Sequence, residues 1–196
     1  MWRRWGYSPT KSASISQATG FAELGRPGHA GGMYEEPEDL VWLQALLDRS
    51  LAGASEHLRS IIRPGRAVPA LDLVSRLSGM RTLALSTVSA AGRPRVSGVD
   101  GHLLRGRWTF TTSGSAVKAA DLRRRPAVSA AYLEGDTFGV FTHGDAEFLD
   151  ESHPDRTWIE EHLTRHYGAS PSTWGPDIVY VRIDPRWMVG FDGAGG

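Results

Sequence analysis

MRTLALSTVSAAGRPRVSGVDGHLLRGRWTFTT, running from Met80 to Thr112, decides the fold class. Leu83, Leu85 and Thr87 alternate with Thr82, Ala84 and Ser86, the period of two expected of a half-buried strand. The turn Ala91-Gly92-Arg93-Pro94 leads into a second strand from Arg95 to Leu104. Arg105-Gly106-Arg107 then feeds a third, Trp108 to Thr112. Three successive strands joined by short turns leave no room for the crossover helices of a parallel, doubly wound sheet.

Downstream, Ser115 to Arg125 reads as a short helix closed by Pro126. Strands follow at Ala127 to Leu133, at Thr137 to His143 with a continuation at Ala146 to Leu149, and at Ile178 to Ile183. A helix opened by Ser152 and Pro154 carries Trp158, Ile159, Leu163 and Tyr167. Upstream, Leu40, Leu43, Leu47, Leu51, Ala54, Leu58 and Ile61 form one helical stripe from Pro37 to about Ile62, and a second helix spans Pro69 to Leu77. The expected architecture is mainly β with helices (α+β): a six-stranded antiparallel barrel, closed or split, behind N-terminal helices, because closure removes exposed strand edges. The expected divisions are a disordered or extended tail over 1–32, a helical segment over 33–79, the barrel over 80–192 and a flexible glycine-rich end over 193–196.

Composition narrows the chemistry. The 22 basic and 22 acidic residues balance, so nucleic acid and anionic membranes are not the expected partners. No apolar run approaches the ~20 residues of a membrane helix, and no signal core opens the chain, which points to the cytoplasm. The chain has no cysteine, which excludes thiolate nucleophiles, dithiol relays and Cys-type zinc sites. Redox chemistry would have to come from a bound cofactor.

The segment Trp108 to Pro126 carries the candidate site. A strand ends in the hydroxyls of Thr111, Thr112 and Ser113, turns at Gly114, and enters a helix whose first turn holds Ser115 and Lys118. Free amides at a helix N-terminus, hydroxyl donors and one ammonium are the parts of a phosphate cradle. Taken alone, the same residues also describe a capped helix with Lys118 on the surface. On the second strand, Gly98 and Gly101 leave clearance for a flat ring lying over Ser97, Gly98 and Val99, or mark a β-bulge. Asp100 and His102 are candidates to touch a substrate or cofactor oxygen.

The spacing of Thr112, Lys118 and Pro126 resembles the flavin-phosphate motif of the pyridoxamine 5'-phosphate oxidase-like split-barrel family. The resemblance extends through Thr82 to Thr87, Gly92-Arg-Pro94 and Gly144-Asp-Ala-Glu147, and covers about Met80 to Phe191. It implies a split barrel and a homodimer. It also implies a cofactor that is FMN or the deazaflavin coenzyme F-420, contacted by Lys118 and Thr112, and hydride transfer to a small organic substrate with no catalytic side chain required. The family also includes haem-handling proteins, so flavin or haem storage or sensing is the alternative. Vitamin B6 oxidation is not implied, because the positions that carry Arg and Lys in the oxidases proper look like Ser97 and His102 here. Asp184 to Asp192 also lacks their Arg-x-His motif.

His162 and His166 stand four apart on one helical face, but without a third ligand in the sequence they read as a polar face and no metal is expected. Arg123, Arg124 and Arg125 read as basic residues offsetting a helix dipole.

Overall fold

Pro37 stands at the first turn of α1 (Pro37–Ala52), where its missing N–H costs nothing, and Glu36 and Asp39 cap that end reciprocally. The structure, a computed structural model, describes residues 35–193; the expectations for 1–32 and for the glycine-rich end fall largely outside the described residues. The single helix expected to Ile62 is two. Gly53 ends α1 by donating its N–H to Arg49, and the Ser55 hydroxyl caps α2 (Glu56–Ile61) by accepting from the Leu58 amide at 3.2 Å. A third helix, α3 (Ala70–Arg76), precedes the strands.

Six antiparallel strands close a barrel: β1 (Met80–Val88), β2 (Pro94–Leu104), β3 (Arg107–Ser113), β4 (Ala127–Glu134), β5 (Phe138–Leu149) and β6 (Ile178–Asp192). Their order around the ring is β1-β2-β3-β6-β5-β4, and β4 returns to β1 at Ala84–Ala131 through Ser86–Ser129. Helix α4 (Val117–Arg124) joins β3 to β4, and α5 (Arg156–Tyr167) joins β5 to β6.

Strand β6 runs well past the expected Ile183. Proline cannot donate to a ladder, so Pro185 is unexpected inside a strand. The sheet tolerates it at a register shift. Gly144 of β5 pairs with Pro185 while its neighbour His143 pairs with Trp187, which leaves Arg186 as the extra residue. A Cβ on Gly144 would stand 2.1 Å from the Asp184 carbonyl oxygen, so only glycine permits this close approach.

Leu83, Leu85, Val99, Trp108, Phe110, Val140, Val181 and Met188 fill the barrel, and Leu43, Leu46 and Leu73 from α1 and α3 belong to the same apolar cluster. The buried Trp108 indole donates to Thr142 Oγ1 at 3.2 Å, so the core strands no donor there. Ser50 of α1 accepts from the Met188 amide at 3.0 Å and ties the helix to β6. A second cluster, Leu104, Leu149, Ile159, Leu163 and Tyr180, seats α5 on the barrel.

Candidate functional site: a split between two strands

Strand β2 pairs with β1 along its length, from Met80–His102 to Val88–Pro94, with no register shift. It pairs with β3 at only three positions, His102–Thr109, Leu103–Trp108 and Leu104–Arg107. On its other edge β3 pairs with β6 from Thr109–Arg182 to Ser113–Ile178, so beyond Thr109 its β2-facing edge has no strand partner. The barrel is therefore split between β2 and β3. Extending their antiparallel register past His102–Thr109 would set Asp100 opposite Thr111, Val99 opposite Thr112 and Gly98 opposite Ser113. The two candidate segments thus form the two lips of the split. Alternate backbone groups on the β2 lip point into it without a partner from β3.

Strand geometry separates the two threonines. Thr112 shares the inward side of Trp108 and Phe110, whereas Thr111 turns to the opposite face, in register with Tyr180. Only Thr112 meets the lysine: Lys118 Nζ lies 3.5 Å from its Oγ1. Among the described residues the Lys118 ammonium has no carboxylate partner.

Ser113 and Ser115 are brought together, their hydroxyls 2.7 Å apart, but against a partner that sequence reasoning did not foresee. The Asp177 carboxylate accepts from Ser113 Oγ at 3.0 Å and from the Ser115 amide at 2.8 Å, and the Gly114 amide donates to the Asp177 carbonyl at 2.7 Å. These bonds hold the Asp177 carboxyl below the usual range, so it carries its charge at neutral pH. Ser115 also precedes the helix instead of sitting in its first turn, since Ala116 is the N-cap and caps with no side chain.

On the β2 lip, Ser97 is half-buried, Gly98 and Asp100 are exposed, and the Val99 side chain lies in the core, which leaves only its backbone for a ligand. The two glycines serve different ends. Nothing lies within 4 Å of where a Gly98 Cβ would be, while one on Gly101 would stand 2.4 Å from Leu83 Cδ1. Gly101 is therefore a packing requirement, and the unshifted register rules out the bulge reading.

His102 lies under α5 with 1% of its surface exposed. Its Nε2 is 3.0 Å from the Tyr167 hydroxyl and its Nδ1 is 3.3 Å from His162 Nε2. Burial, then the neighbouring His162, His166 and Arg81, lowers its pKa to about 3; burial followed by His166 and Arg165 lowers that of His162 to about 4. Burial and the Asp100 carboxylate raise Tyr167 to about 12. The imidazole is thus sealed and neutral. On this lip the exposed candidates for ligand contact are Gly98 and Asp100.

His166 is exposed while His162 is buried, and among the described residues no three His, Asp or Glu side chains converge to hold a metal. Arg123 donates to the Gly114 carbonyl at 2.6 Å, and Arg125 to the Ser89 and Ala90 carbonyls, so these two tie loops. A cavity of about 220 Å³ lined by Leu47, Ile62, Val68 and Val189 includes no residue of the split. It is below the roughly 300–1,000 Å³ of most small-molecule pockets.

A family model described as pyridoxamine 5'-phosphate oxidase matches residues 72–190, more than half of the chain. The chain belongs to the pyridoxamine 5'-phosphate oxidase-like family. Solved structures agree on the fold of this pyridoxamine 5'-phosphate oxidase-like barrel. A conserved hypothetical protein of Mycobacterium tuberculosis aligns with a TM-score of 0.58 and 24% identity, over 68% of this chain and 90% of that one. The haem storage protein HutZ of Vibrio cholerae aligns at 0.51 and 20%, over 59% and 90%. At such identities the likeness is one of fold. No curated protein matches the sequence. In this pyridoxamine 5'-phosphate oxidase-like chain, the segment Asp184 to Asp192 continues β6 through the barrel wall.

Proposed function

We propose that the split holds a flavin-type cofactor, FMN or F-420, in an oxidoreductase acting on a small organic substrate. The observation that carries this reading is the Lys118 ammonium, set beside the Thr112 hydroxyl on one lip without a carboxylate partner among the described residues. That pair suits a phosphate. Ser97, the open face of Gly98, the Val99 backbone and Asp100 suit a ring lying along the other lip, while the Ser113 and Ser115 donors are shared with Asp177. The ring, when bound, supplies the hydride chemistry. The side chains grip and orient it. We assign the protein to the cytoplasm as a homodimer; the exposed Val96 and Leu133 on the outer faces of β2 and β4 supply apolar surface for a second copy.

A second reading, storage or sensing of flavin or haem without turnover, draws support from the burial of His102 and His162. The histidines with the shifted pKa values lie under α5 and offer the split no proton chemistry. Absorbance spectra and mass spectrometry of protein purified from a deazaflavin-producing host test the first reading, with flavin or deazaflavin as the expected bound species. Steady-state turnover with NADPH or reduced F-420 separates the two, because a store binds without turning over.

A further inference from the structure

We propose that Asp121 is a positioning residue that keeps Lys118 free for an anion at the split; the inference rests on the reading of that site given above. Helix α4 has eight residues, too few to be stable by itself, so contacts with the barrel must fix its place. Lys118 and Asp121 are three apart, neighbours on the helix surface, where opposite charges ordinarily attract each other. Here they do not pair. Asp121, buried to 7% exposure, turns Oδ2 to Thr87 Oγ1 at 3.2 Å and to Arg95 Nη1 at 3.5 Å, while Lys118 reaches Thr112.

Thr87 and Arg95 face each other across β1 and β2, so one carboxylate grips both strands of the hairpin. A buried carboxylate is costly to keep unless it is paired and hydrogen-bonded, and packing through Ala119 and Leu122 does not need one. Two consequences follow from the geometry. The grip fixes the rotation of α4 and hence where Lys118 points. It also commits the acidic charge to Arg95, so that the ammonium one turn earlier is left for another anion.

The test is a double-mutant cycle read as the dissociation constant of FMN, and separately of F-420, by fluorescence titration of folded protein. Asp121→Asn is expected to weaken binding about fivefold or more in the wild-type background and less than about twofold in a Lys118→Ala background, because it acts through the lysine. Thr87→Val, which removes one hydrogen bond and no charge, is expected to behave the same way with a smaller effect, and it carries the test if Asp121→Asn does not fold. Equal weakening in both backgrounds, or unchanged affinity where Lys118→Ala alone weakens binding, would overturn the inference and leave the proposed function standing. Wild-type protein that binds neither probe, or a Lys118→Ala variant that binds like wild type, would remove the functional reading and this inference with it.

Discussion

Asp177 places a carboxylate oxygen 2.8 Å from the Ser115 amide, so the loop before α4 already holds a negative charge of its own. A phosphate approaching Lys118 meets that charge. Asp177→Asn keeps an oxygen to accept from Ser115 and removes the repulsion. FMN affinity should rise about twofold to fivefold at low ionic strength, and the gain should shrink as salt is added. Titrations at two salt concentrations check this; unchanged affinity would separate Asp177 from the ligand's phosphate.

Lys118→Ala removes a charge-assisted contact worth about 1.5–3 kcal/mol, which corresponds to a roughly tenfold to hundredfold weaker cofactor complex. Thr112→Val removes a neutral hydroxyl contact and should cost less, about 0.5–1.5 kcal/mol. Turnover at saturating cofactor should fall far less than affinity, since a phosphate contact distant from the reacting ring holds ground and transition states alike. Thr111→Val, whose side chain turns away from Lys118, should cost less than Thr112→Val. Calorimetry on the three variants checks the order.

The two glycines of β2 should respond in opposite ways. Gly101→Ala forces a Cβ against Leu83 and should destabilise the fold by about 1–3 kcal/mol, read from urea unfolding. Gly98→Ala meets open space and should leave stability within about 0.5 kcal/mol while weakening cofactor binding, because the added methyl occupies the surface assigned to the ring.

Acid should unfold the protein in part through His102 and His162. Their folded-state pKa values, about 3 and about 4, lie below the ordinary value of 6.5, so between those values the unfolded chain binds protons that the native chain refuses. The native state is undiminished above about pH 6.5 and loses up to about 1.4 kcal/mol per pH unit per histidine as pH falls from there toward 4 and 3. His162→Gln should flatten that dependence. The measurement is the difference between variant and wild type in urea unfolding at pH 7.5 and pH 5; equal slopes would mean that His162 does not resist protonation.

What the sequence revealed and what it hid have separate physical causes. The first three strands were legible because burial of one face imposes a period of two on Leu83, Leu85 and Thr87. The break at Gly53 was hidden because the apolar stripe continues through Leu58 and Ile61 on the far side of it. The far half of β6 was hidden by Pro185, whose accommodation depends on Gly144 in another strand. Lys118 and Thr112 lie six positions apart and their meeting could be anticipated from the strand-to-helix turn. The partners that complete the site could not. Asp177 reaches Ser115 across 62 positions, Thr87 reaches Asp121 across 34 and Tyr167 reaches His102 across 65, and no local pattern encodes such pairs.

Strand β6 is the last of the described strands and lies between β3 and β5 in the ring, so ring closure depends on the segment made last among them. Until Ile178 to Asp192 leaves the ribosome, β3 and β5 each present an unpaired edge and the ring cannot close. A chain without β6 would present those edges to the edge-to-edge association that closure prevents. A premature stop anywhere before Ile178 should yield an aggregating sheet, because the missing strand is the one that seals both seams.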